Sequence, residues 1–368
     1  MNSEMLLAGP RGRRVCLTFS MLADDGVDQS AEAFAHGIEE EHGAVRYRSP
    51  ARYLVSKFLR TGEPPVLAPV PGTVAGSVAA ALEQAELPDP TDKALWDSLT
   101  QAVDTAYYWE EPDGLDRLAF QPEMAGPLSR IAAHIAASPL TRWWSTPIAA
   151  EQWSIQFADP LHDDDEPDRR SPARILGEWH SEAIRAERRS HADLHSDVRA
   201  AISGEWWSMP PDSLTSSTRI CGHRGPVGLY LAEDSFGPEQ AAATALEPGG
   251  NIYEIDSAEA FADLCRRYPL EVTASRRHDW FRVTARDGRW VIPDWRAVAE
   301  DWDAVHLTIA AYLHTAGRTV GVDGDTATVM AGWAPDATYW LTDSYRLASD
   351  HTGWTYDDDA EIWRSGSK

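Results

Sequence analysis

The densest group of potential metal ligands is Glu187-x-x-x-His191-x-x-x-His195, whose spacing lines three donors along one helical face. Arg185, Arg188 and Arg189 share the stretch and oppose a divalent cation, and the His-Glu-x-x-His order of zinc peptidases is missing. A solvated, salt-bridged helix is the expected role, and no metal is assigned. The acidic runs 163–166 and 356–361 lack the alternating aspartates and glycine of a calcium loop and read as surface.

Gly9-Pro-Arg11-Gly-Arg13-Arg14 places three arginines on a glycine-punctuated turn, ahead of Val15–Phe19, which alternates like a strand. Backbone N–H groups and guanidinium forks suit a phosphate or carboxylate, although no Gly-Lys-Ser/Thr follows and internal salt bridges are the commoner use. A hydroxyl cluster, Ser213 to Thr218, precedes Arg219, His223 and Arg224. Neither a Gly-x-Ser-x-Gly elbow nor a Ser-x-x-Lys pair is present, so a hydrolase triad is unsupported. His278, His306 and His314 have no recognisable partners in the sequence and read as structural.

The run Gly225-Pro-Val-Gly-Leu-Tyr230-Leu-Ala-Glu233-Asp234, the alanine-rich Gln240–Ala245 and Ile252-Tyr-Glu254-Ile255 together resemble the central part of ADP-ribosyltransferase-like domains, within residues 219–310. The resemblance implies a strand, a helix of small residues and a second strand, with NAD bound and Tyr230 stacked on its nicotinamide ring. It also implies a glutamate on the late strand Asp303–Thr308, where this sequence has His306. The family's nicotinamide-anchoring His or Arg comes from far upstream, whereas His223 and Arg224 stand just before Tyr230.

The activity so implied is ADP-ribosyl transfer or NAD glycohydrolysis. Cleaving a glycosidic C–N bond builds oxocarbenium character, which Glu233 or Glu254 could stabilise while Arg219 or Arg224 clamps the diphosphate. Trp206, Trp207, Trp280 and Trp290 would wall the pocket against water. The expected catalytic set is Tyr230, Glu233, Glu254 and His306. Two other readings stand beside it: a non-catalytic binding or regulatory protein whose tryptophans form a partner surface, and a tailoring enzyme of secondary metabolism with unrelated chemistry.

The elements that must position these residues read as α+β. Helical spacing recurs at Pro50–Phe58, Val74–Leu87, Asp92–Trp109 and Pro122–Ala137. Trp153–Phe157 alternates like a strand, and an acidic, proline-bounded loop follows at 159–168. A charged helix is expected from Pro172 to about Ile202. Strands are then predicted at Val227–Ala232, Asn251–Ile255, Trp280–Thr284, Trp290–Ile292 and Ala304–Thr308, and helices at Gly237–Leu246, Ala258–Tyr268 and Trp295–Trp302. The expectation is a mainly helical domain over 1–158, a linker over 159–171, a connecting helix over 172–203 and an α+β domain over 204–368. The echo Trp143-Trp-Ser-Thr-Pro147 and Trp206-Trp-Ser-Met-Pro210 suggests two Trp-Pro elbows at an interface.

The chain's 368 residues are 43% hydrophobic and 25% charged, enough apolar mass to fold without staples. Its 58 acidic and 33 basic residues give a formal charge of −25, which disfavours nonspecific binding to duplex nucleic acid or an anionic membrane. No window approaches the roughly 20 apolar residues of a membrane helix. Cys16, Cys221 and Cys265 form no Cys-x-x-Cys pair, and Met1–Arg14 lacks the pattern of a secretion signal, so a cytoplasmic setting is expected. Lysine occurs only at 57, 93 and 368, which with the many alanines points to a GC-rich genome such as an actinobacterium's. The partner expected is a small anionic molecule, with a protein partner left open.

Overall fold

The computed structural model describes residues 1–41, 74–158, 170–233 and 239–366. The helix expected at Pro50–Phe58 and the acidic run 159–168 lie outside the described residues. The N-terminal region is helical: α1 (Ser3–Ala8), α2 (Pro10–Met21), α3 (Asp25–Glu41), α4 (Ala75–Gln84), α5 (Asp92–Asp104), α6 (Gly114–Ala119) and α7 (Ala125–Ala137). Local chemistry sets their starts, since the side chains of Asn2, Thr91 and Asp113 accept from Met5, Ala94 and Asp116 N–H groups.

The strand expected at Val15–Phe19 is instead the second half of α2, with Pro10 in its first turn. Every residue from Arg14 to Met21 is buried, so the alternation there does not mark a half-exposed sheet. Gly12 permits this packing, because a Cβ at that position would lie 2.0 Å from the Leu6 carbonyl oxygen of α1.

Strands and helices mix in the rest of the chain. The strands are β1 (Gln152–Phe157), β2 (Ser216–Arg219), β3 (Gln240–Pro248), β4 (Ile252–Ile255), β5 (Pro269–Glu271), β6 (Arg289–Pro293), β7 (Ala304–Leu307), β8 (Thr319–Asp323), β9 (Thr326–Val329), β10 (Thr338–Trp340), β11 (Tyr345–Asp357) and β12 (Ile362–Ser365). The helices are α8 (Pro172–Ala192), α9 (Ala258–Arg267), α10 (Thr273–Thr284), α11 (Trp295–Val298) and α12 (Ile309–Thr315). An eight-stranded sheet runs β12-β11-β3-β1-β2-β10-β7-β4, and a four-stranded one β5-β6-β9-β8. The α+β class is as the sequence predicts.

Several local expectations are corrected. Gln240–Ala245 is not a helix but most of β3, paired on both sides with β1 and β11. Val227–Leu229 is a 3-10 turn rather than a strand. Trp280–Thr284 is the last part of α10. The helices begun at Pro172 and Trp295 stop at Ala192 and Val298. Two of the elements that the ADP-ribosyltransferase resemblance implies, the first strand and the small-residue helix, are therefore a turn and a strand.

The helical region and the sheets share one apolar cluster, running from Leu6, Leu17 and Leu99 to Leu307, Tyr312 and Trp333. Strand β1 sits between β2 and β3 in the eight-stranded sheet. Among the described residues no helix is long and apolar enough to cross a membrane.

Candidate functional site

The parallel pairing of β4 with β7 puts Glu254 opposite His306, and β10 brings Thr338 opposite His306 from the other side. Three residues singled out in the sequence thereby converge. His306 is fully buried, with Nδ1 2.6 Å from Glu254 Oε2 and Nε2 3.6 Å from Asp336 Oδ1. Asp336, held at φ 65, also receives Arg219 Nε at 2.6 Å and the Arg219 N–H at 3.0 Å. The remaining Arg219 nitrogens donate to Thr146 and Pro147 of the first Trp-Pro elbow, with Trp143 5.6 Å away. Burial opposes a charged imidazole, but Asp336 and Glu254 outweigh it and raise the His306 pKa. This constellation is closed: each charge answers another, and Arg219 is already clamped.

A second enclosed centre surrounds Glu233. Tyr108 and Tyr312 both donate to its Oε1, at 2.8 and 2.6 Å, while Oε2 is buried without a hydrogen-bond partner among the described residues. Burial pushes this carboxyl up to about 8, against the opposing pull of the two phenols, Arg11 and the Gly332 N–H. The basic turn proposed as an anion site is part of the same interior. Arg11 is paired with Asp116, and Arg14 lies 2.9 Å from Asp113 and 3.0 Å from Asp116. Arg13 donates to the Leu7 and Ala119 carbonyls. These arginines tie helices together and are not presented to an anion.

The other expected site residues are divided between the Trp96 ring, where Tyr230 and Arg224 meet, the core and the surface. Tyr230 packs edge-on against Trp96, and its hydroxyl accepts from the Trp363 N–H. Arg224 pairs with Asp92 and lies over the Trp96 ring. Trp280 and Trp290 are fully buried and pack against each other, so they wall a core and not a pocket. Glu187 caps α10 from another helix, its two oxygens accepting the Ala274 and Ser275 N–H groups at 2.8 Å. His191 and His195 are exposed on and just beyond the end of α8.

A more open hollow lies elsewhere. Trp109, Glu110, Glu111, Arg199, Ala201, Ser203, Phe281, Arg282 and Ala285 line an open cleft of about 710 Å³. Side chains of α10 build its wall by holding the segment before β2. Asp279 accepts from Ser203 Oγ and the Gly204 N–H, and Arg282 pairs with Asp279 while donating to the Trp109 and Ile202 carbonyls. Nearby, Arg276 pairs with Glu205, and Trp280 donates to the Trp206 carbonyl. Burial raises the Asp279 pKa against these donors.

On the cleft face, the Arg199 guanidinium lies 5.7 Å from the Phe281 ring centre. It has no carboxylate partner among the described residues, whereas Glu111 is paired with Arg117. Trp109 packs 4.8 Å from Trp206, which in turn meets Trp207, so two of the expected tryptophans stand behind the cleft. Sequence reasoning passed over Trp109, Arg199, Phe281 and Arg282, which come from three separate segments. Comparison of the chain with family models, with curated proteins and with solved structures finds no match.

Proposed function

We propose that the chain binds a small anionic ligand bearing a flat ring, of the nucleotide class, in the Trp109–Phe281 cleft, and that binding is its primary role. The observation behind this reading is Arg199, an exposed guanidinium with no carboxylate partner among the described residues, set over the Phe281 ring in a cleft that Trp109 also lines, in a chain of strong negative charge. Rings stack on aromatic faces, and guanidinium forks match phosphate oxygens. A binding role is favoured over NAD cleavage because Glu233, Glu254 and His306 have internal partners and none of them lines the cleft.

Calorimetric titration with ADP-ribose and with NAD tests the reading. Saturable binding is expected, with a rise in melting temperature because only the native state binds. Arg199→Ala weakens it about tenfold, the loss of roughly 1.4 kcal/mol that one charge-assisted contact supplies. Absence of heat at millimolar concentrations of both ligands overturns it. Release of nicotinamide from NAD favours the glycosidic chemistry instead.

A further inference from the structure

Tyr108 and Trp109 are consecutive residues with different surroundings. The first donates its hydroxyl to the enclosed Glu233 carboxyl, and the second lines the cleft. The Trp206 ring touches both, at 6.2 Å from Tyr108 and 4.8 Å from Trp109, and the Trp109 carbonyl is held by Arg282, itself a lining residue. Tyr108 is thus joined to the cleft wall by one peptide unit and one shared aromatic contact.

We infer that the protonation state of Glu233 sets the position of Trp109 and so the shape of the cleft. That this shape governs a nucleotide-like ligand rests on the cleft reading proposed above.

The groups facing Glu233 are Tyr108 after α5, Tyr312 on α12, Arg11 on α2 and Tyr339 on β10. Arg11 and Arg14 are already balanced by Asp113 and Asp116. A protonated Glu233 therefore leaves the interior neutral, and an ionised one adds an uncompensated negative charge. The anion shortens the phenol hydrogen bonds, since charge-assisted bonds are the stronger ones, and draws Tyr108 inward. Burial places this titration at about 8, within reach of ordinary buffers. Ionisation then widens the cleft and weakens an anionic ligand about fivefold, at the low end of measured couplings between sites.

The test uses the full chain labelled with 5-fluorotryptophan, the Trp109 resonance being assigned with Trp109→Phe. A fluorine shift that titrates between neutral and mildly alkaline pH is expected in the native protein. It is absent in Glu233→Gln and in Tyr108→Phe, the second variant keeping the carboxyl but cutting its link to the wall. A Trp109 signal indifferent to pH, or one that titrates unchanged in Glu233→Gln, overturns the inference. ADP-ribose affinity at the same two pH values separates the two proposals. Weaker alkaline binding that Glu233→Gln abolishes supports both. Equal affinity at the two pH values with a titrating fluorine signal overturns control of the ligand. No binding at either pH with a titrating signal overturns the nucleotide reading and supports the proton-linked wall.

Discussion

His306 and Glu254 face each other in register on neighbouring parallel strands, and the far nitrogen of the same imidazole points at Asp336. Arg219 is the other cation of the group. Two carboxylates against one guanidinium leave a net negative charge in a place where His306 and Asp336 have almost no solvent. An imidazolium restores neutrality and gives each ring nitrogen an anionic partner, which is why the cluster is stable although it is buried.

The His306 pKa is raised on folding, so the folded state holds its proton more tightly than the unfolded chain does. The resulting stabilisation is fully present below the unfolded value of about 6.5 and is lost as pH rises through the higher folded value. His306→Gln removes the dependence and costs about 3 kcal/mol, as expected for breaking one side of a buried pair. Urea unfolding across this range, with His306 followed by NMR, measures both.

Glu233 gives stability the same sign by a different route. Its carboxyl titrates near 4.5 when unfolded and at about 8 in the fold, so stability declines as pH rises between those values. Glu233→Gln is neutral throughout, and its melting temperature is expected to fall less than that of the native protein on going from acidic to alkaline buffer. Equal slopes for the two proteins would show that the carboxyl is ionised in the fold already.

The interior of the helical region depends on shared carboxylates. Asp116 serves both Arg11 and Arg14 while also lying in the first turn of α6. Asp116→Ala leaves two buried guanidinium groups facing Asp113 alone and is expected to cost about 4 kcal/mol. Denaturant titration checks the value, and a loss under about 1 kcal/mol would mean that Asp113 compensates.

The elements legible in the sequence are those whose local signals agree with their surroundings. Ala258–Arg267 combines an amphipathic pattern with a Ser257 cap, and Asp92–Asp104 does so with Thr91. The misread ones are where neighbours overrule propensity. Ala241 to Ala243 form a strand because β1 and β11 flank them, with Phe157 and Trp354 both opposite Ala241, where larger side chains would not fit. Trp280 and Val283 favour strands by type, yet Arg276, Asp279, Trp280 and Arg282 hold residues 202–207 only from one helical face.

The site was legible in part for the same reason. Arg219, Glu254 and His306 each stand out in the sequence, but Asp336, which links Arg219 to His306, carries no local signature. The contacts of Glu233 with Tyr108 and Tyr312 span 125 and 79 residues, distances at which sequence spacing says nothing.

Gly225 carries a clear steric prediction. Its φ is +80, a conformation that side chains resist, and a Cβ there would lie 2.2 Å from the Trp354 ring. Gly225→Ala is expected to lose about 2 kcal/mol and to displace Trp354, through strain and overpacking together. The same substitution at Gly353, where a Cβ meets nothing within 4 Å, is the matched control and should change stability far less.

Asp279 is where the cleft wall is most exposed to a single change. Its carboxylate accepts from Ser203 and Gly204 while holding Arg282, which in turn donates to the Trp109 carbonyl at 2.9 Å. Asp279→Asn keeps the size but replaces one acceptor with an amide donor, which then faces either the Gly204 N–H or the Arg282 guanidinium. The fold survives, because the apolar core beneath α10 is untouched, but the wall opens more often. Amide exchange at Gly204 is expected to quicken about tenfold, corresponding to a local stability loss of roughly 1.4 kcal/mol, while protection in β7 stays unchanged. Equal loss of protection at both places would mean that Asp279 supports the whole fold, and that the cleft wall is not an independent unit.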